Sequence, residues 1–296
     1  MNLFRVMVDR WLEPVARFFT GTTVGRAIVF VSLPLVLLVI AFWETKHEPP
    51  IFDAMELYNE EAWGRVPVKA IIGTARELNV PWMVVGSTPN EGTWRLAAAD
   101  RTRIIPMFVP HRSRDERTIW YSEPEVLQLM ETEIGRGVYR GIGEFWLSDG
   151  QINTPNVKRM VELAAKHNLV LHARSDPAAL EQLFALNPKV RIMWAHAGIF
   201  AKPDKIGEML DRFPLLWAEL SHRADVAPHG KLNAEWRALL MRHPNRFLIG
   251  SGTYTSQYWY QFRYAHGNHR DWLKELPPEV AERIAYRNGL ELFALK

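Results

Sequence analysis

The chain has 296 residues, 48% of them hydrophobic and 23% charged, the proportions of a folded globular protein rather than a disordered one. Its formal charge of +3 comes mainly from Arg5, Arg10, Arg17 and Arg26, which outnumber Asp9 and Glu13 ahead of the first long apolar run; beyond that run the charges nearly balance, and without a stripe of basic and aromatic residues nucleic acid is not an expected partner. With no cysteine the chain can have no disulfide framework, thiolate metal site or thiol nucleophile.

In residues 1–26, Leu3, Phe4, Met7, Val8, Trp11, Leu12, Val15 and Phe19 recur at helical spacing with charged residues largely opposite. The pattern predicts an amphipathic segment that lies in a membrane interface or docks on a partner's helix, with Trp11 as a docking candidate. Residues 27–43, AIVFVSLPLVLLVIAFW, carry no charge and predict a single transmembrane helix, in which Pro34 is tolerable and Trp43 suits the interface. Four arginines precede the span and acidic residues follow it. The positive-inside rule therefore puts the N-terminus in the cytoplasm and the rest on the periplasmic side of a bacterial inner membrane. A cleaved signal peptide would have a shorter flank and small residues at its end, unlike Ala41-Phe42-Trp43. Residues 44–50, ETKHEPP, form a linker.

From 51 to 296, short apolar runs alternate with amphipathic helical stretches, which predicts an α/β fold built of βα units around a parallel sheet. Eight such runs occur: IFDAMEL (51–57), PWMVVG (81–86), RIIPMFV (103–109), YRGIGEF (139–145), LVLHAR (169–174), VRIMWAH (190–196), LLWAELS (215–221) and RFLIGS (246–251). Eight strands in roughly 250 residues fit a (β/α)8 TIM barrel. Thr154-Pro155 and Asp176-Pro177 are expected to open helices. The stretch after the last run is dense in aromatic residues, among them Tyr258, Trp259, Tyr260 and Trp272, a density that suits a docking surface or a cap over the barrel's own mouth.

Glu144, His172 and His196 fall at or near the ends of their runs, where such barrels carry their chemistry. GIGEF, LVLHARS and WAHAG resemble the fourth, fifth and sixth strands of the metal-dependent amidohydrolase superfamily, in particular its amidohydrolase-2 and TatD-like branch. RFLIGSGTYT and EVAERIAYRNGLELF resemble its last strand and closing helix. The resemblance implies that Glu144, His172 and His196 hold a divalent metal ion such as zinc. It also exposes departures. The family's first strand ends in a His-x-His pair after Asp-Ala, where this chain has Met55 and Leu57, and Gly252 stands at the family's proton-transferring aspartate. Strand alternation turns Met55 and Leu57 inward and Glu56 the other way. The first metal of the family would lose its ligands, whereas the second would keep all three, leaving a vestigial or mononuclear centre without its base.

Two readings follow. One is a catalytically inactive barrel, anchored in the membrane as an accessory subunit of a larger respiratory or photosynthetic complex. The other is a mononuclear metal-dependent hydrolase or decarboxylase-like enzyme using Glu144, His172 and His196. The loss of three positions together, with an anchor and candidate docking surfaces, favours the first; Glu219 and His222 on the seventh strand would replace the lost base only by coincidence.

Overall fold

The computed structural model describes residues 48–295. The predicted amphipathic segment with Trp11, the predicted membrane helix and most of the linker lie outside the described residues. Among the described residues no helix is long and apolar enough to cross a membrane.

Eight parallel strands follow one another around the sheet: β1 (Phe52–Leu57), β2 (Trp82–Gly86), β3 (Ile104–Phe108), β4 (Gly141–Leu147), β5 (Val170–Ser175), β6 (Arg191–Trp194), β7 (Leu216–Glu219) and β8 (Phe247–Leu248). Bridges from Asp53 to Ile249 and from Glu56 to Thr253 join β8 back to β1, with Ala54 N donating to Ile249 O at 2.8 Å and Leu57 N to Thr253 O at 2.7 Å. The architecture is a (β/α)8 TIM barrel, and each strand lies within one predicted run apart from a short overhang on β4 and β5. β7 and β8 end earlier than the apolar pattern suggests because side chains near the mouth capture backbone donors. Ser221 N donates to the Glu219 carboxylate, and Ser251 N to Asp53 Oδ1 at 2.9 Å.

One buried cluster unites Ala54, Val84, Met107, Val170, Met193 and Leu248, each from a different strand, with Leu292 and Phe293 of the closing helical segment. Burying such side chains stabilises the fold by about 1.5–3 kcal/mol each. The larger outer clusters pack the helices onto the strands. Helix starts follow the sequence signals. Asp176 caps the helix Pro177–Leu186, its Oδ1 accepting from Ala179 N at 2.9 Å, and Pro177 supplies the fixed φ of the first turn. Thr154 precedes Pro155–Lys166, but its hydroxyl donates to Gln151 O at 3.1 Å instead of capping.

The aromatic stretch after β8 forms the helices Ser256–Tyr260 and Phe262–Leu273. Trp259 and Trp272 are 5% and 3% exposed, and Trp259 Nε1 donates to Leu57 O at 3.2 Å. These two rings pack on the barrel itself. Tyr258 lines the mouth. Of the candidate docking residues that are described, only Tyr260 stands out to solvent, at 68%.

Candidate active site at the barrel mouth

The C-terminal ends of the strands surround a cavity of about 710 Å³. Glu144 of β4 and His196, just after β6, line it. His172 of β5 is 2% exposed and close enough to feel the charge of both. The three residues predicted to form a centre are therefore brought together.

Their surroundings fix their protonation. His196 Nε2 lies 3.3 Å from Glu144 Oε1, and Arg174 Nη1 lies 4.0 Å from the same oxygen. Burial works to raise the Glu144 pKa, but His196, and then the charges of His172 and Arg174, hold it down at about 2. Burial lowers His172 to about 4 against the pull of Glu144. On His196 burial also acts to lower the pKa, yet Glu144 and Glu219 outweigh it and the pKa is raised. Behind His196, Ser221 Oγ donates to Glu219 Oε2 at 2.9 Å, which leaves its lone pairs to accept from His196 Nδ1 at 2.8 Å. That relay aims Nε2 at the cavity, as supporting hydrogen bonds do for metal-ligating imidazoles. His196 and His222 have φ of 55° and 58°, left-handed conformations that cost about 1–3 kcal/mol each and cluster at functional sites.

The opposite side of the mouth is built differently. Met55 and Leu57 face the cavity. Glu56 does not line it; it is 1% exposed beside Asp53, and burial, then Asp53, raise its pKa well above the usual range. Gly252 has a φ of 68°, and a Cβ built on it would lie 2.5 Å from His222 Nε2. The imidazole of His222 thus occupies the space beside Gly252, its ring centre 5.1 Å from that of His196.

A family described as Amidohydrolase matches residues 134–295, more than half of the chain. The chain belongs to the amidohydrolase family. Comparison with curated proteins gives no match. Among solved structures, a TatD homologue from Escherichia coli K12 is similar at 11% identity and a TM-score of 0.60, over 83% of this chain and 98% of that one. A probable 2-pyrone-4,6-dicarboxylic acid hydrolase from Acinetobacter baumannii, solved with citric acid bound, is similar at 14% and 0.55, over 83% and 99%. So is a 2,6-dihydroxybenzoate decarboxylase complexed with 2,6-dihydroxybenzoate, at 11% and 0.55, over 83% and 99%. At such identities these likenesses speak for the fold alone. The family match covers β4 to β8, with Glu144, His172 and His196, and leaves out β1.

Amidohydrolases of this family commonly use a divalent metal, and the donor chemistry here suits one ion. Glu144 is ionised and His172 neutral at pH 7, the forms that ligate metals. His172 Nε2 is buried without a hydrogen bond, which costs about 1–3 kcal/mol, and a cation shared with Glu144 would satisfy it. As the side chains stand, no three His, Asp or Glu among the described residues form a ready cage, so the donors would have to close up around an ion. Met55, Leu57 and Gly252 offer no nitrogen or oxygen side-chain donor for a second.

The reading of the sequence missed the basic wall of the cavity. His111, Arg112, Arg114 and Arg117, all from the loop after β3, line it together with Arg174. The run HRSRDER at the C-terminal end of a barrel strand was the available signal, masked because charged loops are usually solvated.

Proposed function

We propose that this protein is a hydrolase that works with one divalent ion held by Glu144, His172 and His196, and with His222 as proton carrier in place of the family's aspartate. The observation that carries the reading is His172 Nε2, buried without a hydrogen bond, next to the ionised Glu144 and to His196 at an open cavity. An inactive barrel would lack a base and a complete metal site. His222 answers the first point. Its pKa is lowered to about 4, chiefly by burial, so it is a neutral imidazole at pH 7 with a basicity near that of the carboxylate it replaces.

The bound ion would supply Lewis acidity, polarising an acyl oxygen and acidifying water. His222 accepts a proton from the attacking water as the new C–O bond forms, and returns it to the leaving oxygen or nitrogen as the scissile bond breaks. The Glu219–Ser221 pair holds His196 in register, and Met55 and Leu57 present a dry floor to the apolar part of the substrate.

The other reading, an accessory subunit with a spent site, draws on Met55 and Leu57 in place of two histidines. In both readings residues 27–43 anchor the barrel on the periplasmic face, so protease added to intact spheroplasts should digest it, and complete protection would reverse that topology. The function itself is tested with a panel of lactones, amides and esters. Turnover that depends on added Zn²⁺ and vanishes in Glu144→Gln is expected. No turnover above that variant on any substrate favours the accessory reading.

A further inference from the structure

Two guanidinium groups share one indole at the mouth. The Arg117 and Arg174 carbons each lie 4.0 Å from the centre of the Trp146 ring. Cation–π contact holds each cation, and two like charges on one ring are further stabilised by an anion at the cavity beside them. The carboxylate within reach is Glu144, at 4.0 Å from Arg174 and already in contact with His196. Arg117 has its Nε buried without a hydrogen bond. Among the described residues neither it nor the exposed Arg114 makes an ion pair, whereas Arg112 in the same loop is tied to Glu116 and Glu125. Of the acids on the opposite rim, Glu61 accepts hydrogen bonds from Ser256 and Arg65, and Glu60 is exposed to solvent. Charge is therefore segregated, with three cations on the β3–β5 side of a cavity whose floor is the hydrocarbon of Met55 and Leu57.

We infer that the ligand of this cavity is a small organic anion, a carboxylate or phosphate group on an apolar body, gripped by Arg114, Arg117 and Arg174 with its body over Met55 and Leu57. Guanidinium forks match the paired oxygens of either group, and about 710 Å³ is in the range of small-molecule sites. The inference deepens the proposed function and rests on the mouth being its ligand site, not on the ion.

Isothermal titration of the full-length protein with benzoate, phenyl phosphate and benzamide separates the possibilities, with circular dichroism confirming that each variant is folded. At least one of the two anions should bind, and the better of them says which group is preferred; neutral benzamide should bind at least about tenfold more weakly. Arg117→Met and Arg174→Met, which keep length and apolar contact with Trp146, should each weaken the anion by about tenfold or more, and Arg174→Lys by less. Protein dialysed against a chelator should still bind it. Benzamide binding as well as the anions, unchanged affinity in both Met variants, or no binding of either anion would overturn the inference. Loss of the anion on chelation would also overturn it, because the ion and not the arginines would then be the anchor. Anion binding by a protein that takes up no metal would keep the inference and sink the proposed function.

Discussion

Strands β4 and β5 carry Glu144 and His172, and His196 follows β6; the glutamate is ionised, one imidazole is neutral and the other is aimed from behind by Ser221 and Glu219. β1 and the segment after β8, which meet at the closing seam of the barrel, carry instead Met55, Leu57 and Gly252. The positions read from the sequence as departures from the family therefore form one contiguous sector, and those read as matches form another. A two-ion site divided in this way can lose one ion without touching the ligands or supports of the second. The departed sector is also not empty: His222 stands against Gly252, and apolar side chains fill the rest.

Replacing the proton carrier sharpens that comparison most. His222→Gln should lower the metal-dependent rate by about 10²–10⁴-fold with little change in KM, measured by steady-state hydrolysis; an unchanged rate would leave the departed sector without a catalytic part. Restoring the family's residue should fail next. Gly252→Asp puts a side chain at a φ of 68° and into the His222 ring, and should destabilise the fold by about 2–4 kcal/mol in chemical denaturation. Adding His222→Ala should recover part of that loss.

Acid should weaken the protein through groups on the retained side. His172 and His111 titrate near 4, each mainly because of burial, whereas in the unfolded chain they take up protons near 6.5. The unfolded state thus binds more protons between these values, so stability falls as pH drops from about 6.5 to 4, by up to about 3 kcal/mol per histidine. Glu144, held at about 2, adds a further loss below its ordinary 4.5. Melting followed by circular dichroism should show this slope, and His111→Gln should flatten it. The smallest effect is expected from Met55→His with Leu57→His, costing about 1–3 kcal/mol and gaining no second ion, because Gly252 still supplies no carboxylate.

All eight strands were legible because each is a short apolar run between turn signals, and the trio was legible because strand ends carry the chemistry of such barrels. What stayed hidden depended on distances across the barrel. Nothing in the sequence puts His222 beside Gly252 or Arg117 and Arg174 on one tryptophan, since those pairs come from different βα units. Glu56 was expected to face away from the mouth, but the pattern does not say that it would be buried beside Asp53. Trp259 and Trp272 look alike to a sequence reading whether they cap their own barrel or dock on another protein, and only packing separates the two.

The central claim is that the β4–β6 sector holds one divalent ion, and calorimetric titration of the dialysed full-length protein with Zn²⁺ tests it most directly. The account predicts about one ion per chain, with uptake of that ion releasing about one proton below the His196 pKa, since Glu144 and His172 are already in their ligating forms, and with binding lost in Glu144→Gln and in His172→Gln. Two ions per chain, none, or a single ion held equally well by both variants would contradict it.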